Sequence, residues 1–466
     1  MALLLAASAA PAPDDTGDLV VFTYANDGGT WACLTGSAPA TLTSDIEPSQ
    51  RVVELVSSDG TRIDGVCAAV HRSGPSADNS PDTSSAWIAY ASRAKEVVLV
   101  NVKILASEAA HASKAISVKQ VWAVECPKRP SCILFSPDGL RVIWSDFFGD
   151  IYWNPVESEP KVHGTNGKDE APVRFSFRDD QDGAFAKAGL KRGLIGGHFA
   201  AVFGIDAVAV PGRTSGDPGS SALFASCDRE RVVRIARLPD IHIIESFCLG
   251  HTDLVLTARF VSDQVLATAG ADGTVRLWRA LSGELLDTWS PQITSAEQDD
   301  TIISNLQYLP EYDILVAMSF NRAHLFFFES VSRECVLSNA STYALGHDSS
   351  ACFPQSMAVC GMSHLFVSFD SLPSIKKLSV VREASGWKID AHPFLDIPEP
   401  AKLAALATPK TAATAGSPAS DLKTEGSDKE AVAFWPREFL HMMRKKEGDP
   451  EWKGKKARPK ANKSVG

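Results

Sequence analysis

No stretch of this 466-residue chain approaches the roughly 18 uninterrupted apolar residues that a membrane-spanning helix needs, which sets aside an integral helical membrane protein. Paired cysteines are missing too. The nine cysteines stand singly in apolar segments with no C-x-x-C pair, so neither a zinc site nor a disulfide framework is expected, and a reducing intracellular compartment follows. The apolar opening from Met1 to Ala10 lacks the basic n-region of a secretory signal, which leaves a buried terminal strand or a disordered leader, and residues 1–17 are set apart as an N-terminal leader. Bulk positive charge is absent as well: 46 Lys and Arg face 56 Asp and Glu, a net charge of -10, so any nucleic-acid contact must be local. A glycine-rich phosphate loop, a G-x-S-x-G elbow and an H-E-x-x-H pair are also lacking. No catalytic residue, metal or cofactor is therefore expected.

What is present is β structure. Short runs rich in Val, Ile, Phe and Leu recur between turn clusters over 18–396, among them Cys132–Ser136, Arg141–Ser145, Phe199–Val210, Val232–Leu238, Val255–Phe260, Val265–Thr268 and Val275–Trp278. Amphipathic helical periodicity is scarce. The runs repeat, and the fullest unit reads Gly250-His251-Thr-Asp, a strand to Phe260, Val265-Leu-Ala-Thr-Ala-Gly, Ala271-Asp272-Gly-Thr and Val275-Arg-Leu-Trp278. This is the four-strand grammar of a WD repeat. Further Gly-His pairs stand at Gly197-His198 and Gly346-His347, and weaker copies of the unit run from Ser136 to Tyr152 and from Asp228 to Leu238. Each small sheet buries both faces only when flanked by neighbours, and about seven units are countable, so the expected fold is an all-β, seven-bladed WD40 β-propeller spanning 18–396. Arg72–Ser85, Asn154–Arg192 and Pro211–Ser220 read as surface loops.

Beyond the propeller, 397–432 is a low-complexity, flexible linker and 433–466 a basic C-terminal tail opening with a short helix. From Arg437 onward, ten basic residues outnumber four acidic ones, a net +6 that leaves the rest of the chain near −16. Arg444, Lys445 and Lys446, then Lys455, Lys456 and Arg458 beside Trp452, interleave cations with an aromatic. That combination suits RNA phosphates and an unstacked base, and equally a nuclear localisation signal.

Two further sets of residues stand out. His251, Thr268, Asp272 and Trp278 form the expected hydrogen-bonded network of a WD blade, a reading that outweighs a catalytic triad. Asp228-Arg229-Glu230-Arg231 is a charged turn entering a strand that carries Arg234; it is either simply solvated or a partner contact on one rim.

The run Ile244–Asp253, with Asp228–Ile235 before it and Ala271–Trp278 after it, resembles the WD-repeat, non-catalytic subunit of the eukaryotic tRNA (guanine-N7-)-methyltransferase. The segment Asp146-Phe-Phe-Gly-Asp-Ile-Tyr152 is similar to that family's Asp-Lys-Phe-Gly-Asp-Val-Tyr, with Phe147 in place of the lysine. The resemblance implies a scaffold that binds and stabilises a catalytic methyltransferase subunit in a nuclear heterodimer, for N7-methylation of guanosine 46 in tRNA. The propeller itself would not hold S-adenosylmethionine, and tRNA would be met through the complex. It implies partner contacts at Glu230 and Arg234, supported by Arg229 and Arg231, and Arg231 falls where the family usually has Glu. The alternative is a general WD-repeat adaptor in another nuclear assembly, such as a ubiquitin ligase or a chromatin complex.

Overall fold

A computed structural model describes residues 2–8, 18–24, 29–35, 52–56, 60, 65–72, 83–105, 115–156, 173–175, 193–211, 222–291, 301–319, 322, 324–337, 340–345, 354–360, 364–369, 374–383 and 386–396. All belong to the first of two units into which the chain divides, Met1–Lys410. The expected linker at 397–432, the tail at 433–466 with its short helix, and the Gly346-His347 pair lie outside the described residues.

Seven sheets, each built on an antiparallel four-strand meander, follow one another along the chain. Blade 1 comprises Ala2–Ser8, Asp18–Tyr24, Thr30–Thr35 and Val52–Leu55, and blade 2 comprises Gly65–Arg72, Thr83–Ser92, Glu96–Leu105 and Ala115–Glu125. Blade 3 is built from Pro130–Phe135, Arg141–Asp146, Asp150–Pro155 and Gly193–Gly197, and blade 4 from Val202–Ala209, Ala222–Asp228, Val233–Arg237 and Ile244–Cys248. Blade 5 holds Val255–Phe260, Val265–Gly270, Val275–Arg279 and Glu284–Trp289; blade 6 holds Ile303–Leu309, Ile314–Ser319, His324–Glu329 and Ser341–Ala344. Pro354–Cys360, His364–Phe369, Ser374–Glu383 and Gly386–Asp396 make blade 7. The first strand of every blade packs on the first strand of the next, and Ala2–Ser8 packs on both Gly65–Arg72 and Pro354–Cys360, so the seven blades close into a propeller.

Burial explains why the second strands read as continuous apolar runs. Val265–Gly270 and Ile314–Ser319 are buried at every residue because a neighbouring blade covers each face. The outer strand Glu284–Trp289 has no such cover and is largely exposed. Each core cluster is accordingly drawn from two adjacent blades; one joins Leu223, Ile235 and Cys248 of blade 4 to Val255, Leu266 and Trp278 of blade 5. Several strands, Thr30–Thr35, Gly65–Arg72 and Ala115–Glu125 among them, escape sequence reading because small and polar residues dilute their apolar content. Three spans differ from the reading by eye. Ala2–Ser8, within the span read as a leader, pairs with Asp18–Tyr24 as the innermost strand of blade 1. Val173–Phe175, within a span read as a loop, adds a parallel strand to blade 2 at Trp122–Val124. Phe199, read as the start of a strand, lies in the connection before Val202. Cys33, Cys67, Cys126, Cys132, Cys227, Cys248 and Cys335 are free thiols.

Candidate functional site

In a four-strand meander, the turn between strands two and three and the connection to the next blade emerge at the same end of the sheet. That topology brings Gly250-His251 and Ala271–Thr274 together on one rim of blade 5. His251 is buried, and its Nδ1 lies 2.8 Å from Asp272 Oδ2 while its Nε2 lies 2.7 Å from Thr268 Oγ1. Trp278 Nε1 donates to the same Oγ1 at 2.7 Å. With Nδ1–H donating to the carboxylate, Nε2 accepts the Thr268 hydroxyl proton, and that hydroxyl accepts from the indole, so all four side chains are satisfied. Burial pushes the Asp272 carboxyl up, but the hydrogen bond from His251, with the amides of Thr274 and Thr252, outweighs it and holds the pKa at about 2. Thr268 is 0% exposed, so its hydroxyl has no route to a substrate and the set works as a structural clamp.

Blade 4 repeats the arrangement with a piece missing. His198 Nδ1 is 2.8 Å from Asp228 Oδ2, and Nε2 is 2.7 Å from Ser226 Oγ. Sequence reading missed this trio, although Gly197-His198 and Asp228 signalled it, because no tryptophan closes the unit. Burial, reinforced by the charge of Arg234 and opposed by Asp228, holds the His198 imidazole below its ordinary pKa. In blade 3, the position four residues ahead of the inner strand is Cys126 instead of His. Asp146 there accepts the amides of Phe148 and Asp150 on Oδ1, at 2.7 and 3.1 Å, while Oδ2 is buried without a hydrogen-bond partner. Burial raises its pKa against those amide bonds.

Backbone hydrogen bonds stitch these turns into one continuous rim. Phe147 N–H donates to Arg129 O, His198 N–H to Gly149 O, and Arg229 N–H to Ala201 O, at 3.1, 2.8 and 3.0 Å. Gly149 has φ +105, and a Cβ there would strike the carbonyl oxygen of His198, so the close approach of the two turns requires glycine. On this rim Glu230 is exposed and accepts from Arg229 Nη2 at 3.0 Å. Arg231, held at φ +67, sends Nη1 to Thr252 O at 3.3 Å and so reaches the connection into blade 5. Arg234 points back to blade 3, donating Nη1 to Gly197 O at 2.6 Å. Glu230 and Arg234 thus stand on neighbouring strand and turn of one blade but make no pair with each other; Arg229 holds the first and Gly197 the second. The tail residues Arg444, Lys445, Lys446, Lys455, Lys456 and Arg458 lie outside the described residues.

A ring of seven blades, one of them tied by a His–Asp–Thr–Trp clamp, defines a WD-repeat β-propeller. Residues 186–386 match the family described as the tRNA methyltransferase TRM82 WD40 domain. The tRNA (guanine-N(7)-)-methyltransferase non-catalytic subunit trm82 of Aspergillus clavatus is 25% identical over 240 residues, covering 44% of this chain and 48% of that protein. Its counterpart in Sclerotinia sclerotiorum is 24% identical over 313 residues, 58% and 59% of the two chains. The non-catalytic subunit wdr4 of Dictyostelium discoideum is 24% identical over 172 residues, 36% of this chain and 32% of that one. The chain is similar to these WD-repeat non-catalytic subunits, and it spans about half the length of the curated relatives it matches.

Proposed function

We propose that this chain is the non-catalytic subunit of a tRNA (guanine-N7-)-methyltransferase: a nuclear scaffold that binds and stabilises the catalytic subunit in a heterodimer for methylation of guanosine 46. The observation that carries the reading is that the family match at 186–386 includes the charged turn Arg229–Arg231 and the strand bearing Arg234, on a rim anchored by buried hydrogen bonds. A rim fixed this way loses little conformational freedom when a partner docks, and it holds that partner in one arrangement before tRNA arrives. Exposed ion pairs such as Arg229–Glu230 contribute little by themselves; at an interface that excludes water, losing one member can cost several kcal/mol. The basic stretch from Arg444 to Lys460 would supply tRNA phosphate contacts that weaken as salt rises.

The test is guanine-N7 methylation of tRNA by the catalytic subunit alone, with this chain, and with its Glu230→Ala/Arg234→Ala variant. Stimulation by the wild-type chain that the variant lacks, at equal thermal stability, supports the reading. A folded wild-type chain that neither binds nor stimulates the catalytic subunit would overturn it in favour of a general adaptor.

A further inference from the structure

The rim that carries Glu230 also carries large apolar side chains with nothing over them. Phe199 is 100% exposed, Phe148 64% and Leu249 62%. Scattered surface hydrophobics are ordinary, but these three occupy successive turns along one rim, from the strand-two-to-three turn of blade 3 to the connection into blade 5. Phe199 is not at the tip of a loose loop. Its neighbours His198 and Ala200 are each 7% exposed, His198 is clamped by Asp228 and Ser226, and its amide is bound to Gly149 O. The backbone is fixed and the ring is thrust outward.

The charges around these rings are mostly of one sign. Lys128 Nζ sits 4.3 Å from the centre of the Phe148 ring and Arg129 stands over Phe147 at 5.3 Å. Arg229 and Arg231 follow on the next turn, with Glu230 between them. On a chain of net charge -10 this is a local reversal of sign. Arg229 and, on the strand that follows its turn, Arg234 are also incompletely used: the Nε of each is buried with no hydrogen-bond partner. Buried donors without partners are uncommon in a finished surface and fit one completed by another molecule.

Resting on the scaffold reading above, we propose that Phe199 is the apolar anchor of the docking surface, and that it seats in a pocket of the catalytic subunit bordered by carboxylates that meet Lys128, Arg229 and Arg231. Protein fits this surface better than RNA. The cations already cover faces of Phe147 and Phe148 on which bases would stack, and Glu230, between Arg229 and Arg231, repels phosphate while it can pair with a basic side chain of a protein. Large aromatic and arginine side chains are also the types enriched in protein–protein interfaces.

The experiment measures the dissociation constant of the full chain for the catalytic subunit, and separately for tRNA, using wild type, Phe199→Asp and Phe199→Leu. Because Phe199 is fully exposed, neither variant should shift the thermal midpoint, which removes misfolding as an explanation. Phe199→Asp is expected to weaken binding to the catalytic subunit at least about thirtyfold, with Phe199→Leu keeping most of the affinity. An unchanged affinity in Phe199→Asp overturns the anchor while leaving the scaffold reading intact. Loss of tRNA binding by the chain alone, with partner affinity preserved, overturns it in favour of an RNA surface. Failure of the wild-type chain to bind the catalytic subunit overturns both.

Discussion

Ala236 holds in blade 4 the register position that Trp278 holds in blade 5: Ala236 pairs with Phe224 as Trp278 pairs with Leu266. The small side chain leaves the His198–Asp228–Ser226 trio without the indole donor that completes the neighbouring clamp. Blade 5 is therefore the better-tied of the two, and Trp278→Phe should expose the difference. The variant keeps most of the ring volume but removes the 2.7 Å bond to Thr268, at a cost of about 1–2 kcal/mol in a urea unfolding experiment. Trp278→Ala adds a cavity in the core between blades 4 and 5, and about 3–5 kcal/mol is expected.

Asp272, in the turn after the second strand of blade 5, and Asp146, at the end of the second strand of blade 3, should respond differently to neutralisation. Asp272→Asn places an amide donor against the His251 Nδ1–H or the Thr252 amide, and a loss of about 2–4 kcal/mol is expected at pH 7. Asp146→Asn keeps the Oδ1 acceptor for Phe148 and Asp150 and removes a buried charge whose second oxygen has no partner, so its stability should stay within about 1 kcal/mol of wild type. The acid limb carries the same contrast. The Asp272 pKa lies below its ordinary 3.8, so its contribution is complete above that value and is lost as pH falls toward 2, to the extent of about 2 kcal/mol. The Asp146 pKa is raised, so protonation favours the folded state. Urea midpoints measured down the acid limb should therefore fall less steeply in Asp272→Asn than in wild type.

His198 titrates nearer neutrality. Its imidazole is held below the ordinary 6.5, so on acidification the unfolded chain takes up a proton before the folded one does. Its contribution to stability is intact above pH 6.5 and is lost as pH falls through the lower folded value. His198→Asn retains a donor toward Asp228 but cannot titrate, and the dependence of stability on pH between 7 and 5 should flatten in that variant.

Asp206 on the inner strand of blade 4 accepts from Arg259 Nη1 at 3.0 Å and from the Phe260 amide at 2.7 Å, both in blade 5. Arg259 Nε in turn reaches Leu306 O of blade 6 at 3.4 Å, so one guanidinium touches three successive blades. Asp206→Ala strands both donors, and a loss of about 3 kcal/mol is expected on thermal or urea unfolding. Replacing Arg259 by Met in the same chain should recover part of it, because the uncompensated charge is then removed.

How far the sequence could be read follows from where each signal resides. The blade 5 clamp was legible because Gly250-His251, Thr268, Asp272 and Trp278 fall within one short unit in which every spacing obeys the repeat. The Asp206–Arg259 tie was not, since it joins residues of different blades and nothing in either local pattern marks the other as its partner. Phe199 reads as the start of a strand, although the strand begins at Val202, for a related reason. Its apolar character continues into Ala200, Ala201, Val202 and Phe203, and an apolar run does not reveal where a strand starts. The sequence leaves Ala2–Ser8 open between a terminal strand and a leader because Ala and Leu alone give no period, and its strand character comes from pairing with Asp18–Tyr24.

Among the described residues the seven sheets share no strand, and each is built from consecutive strands except that Val173–Phe175, which lies between the third and fourth strands of blade 3, joins the edge of blade 2. Where Ala2–Ser8 meets Pro354–Cys360, the circle is joined by side-by-side packing of inner strands and not by a strand lent from one end of the chain to the sheet of the other. That junction is a butt joint where an interleaved strand would make a lap joint. It is the seam along which the ring parts first under mechanical load or heat, and during synthesis the first blade keeps one flank uncovered until the last has been made.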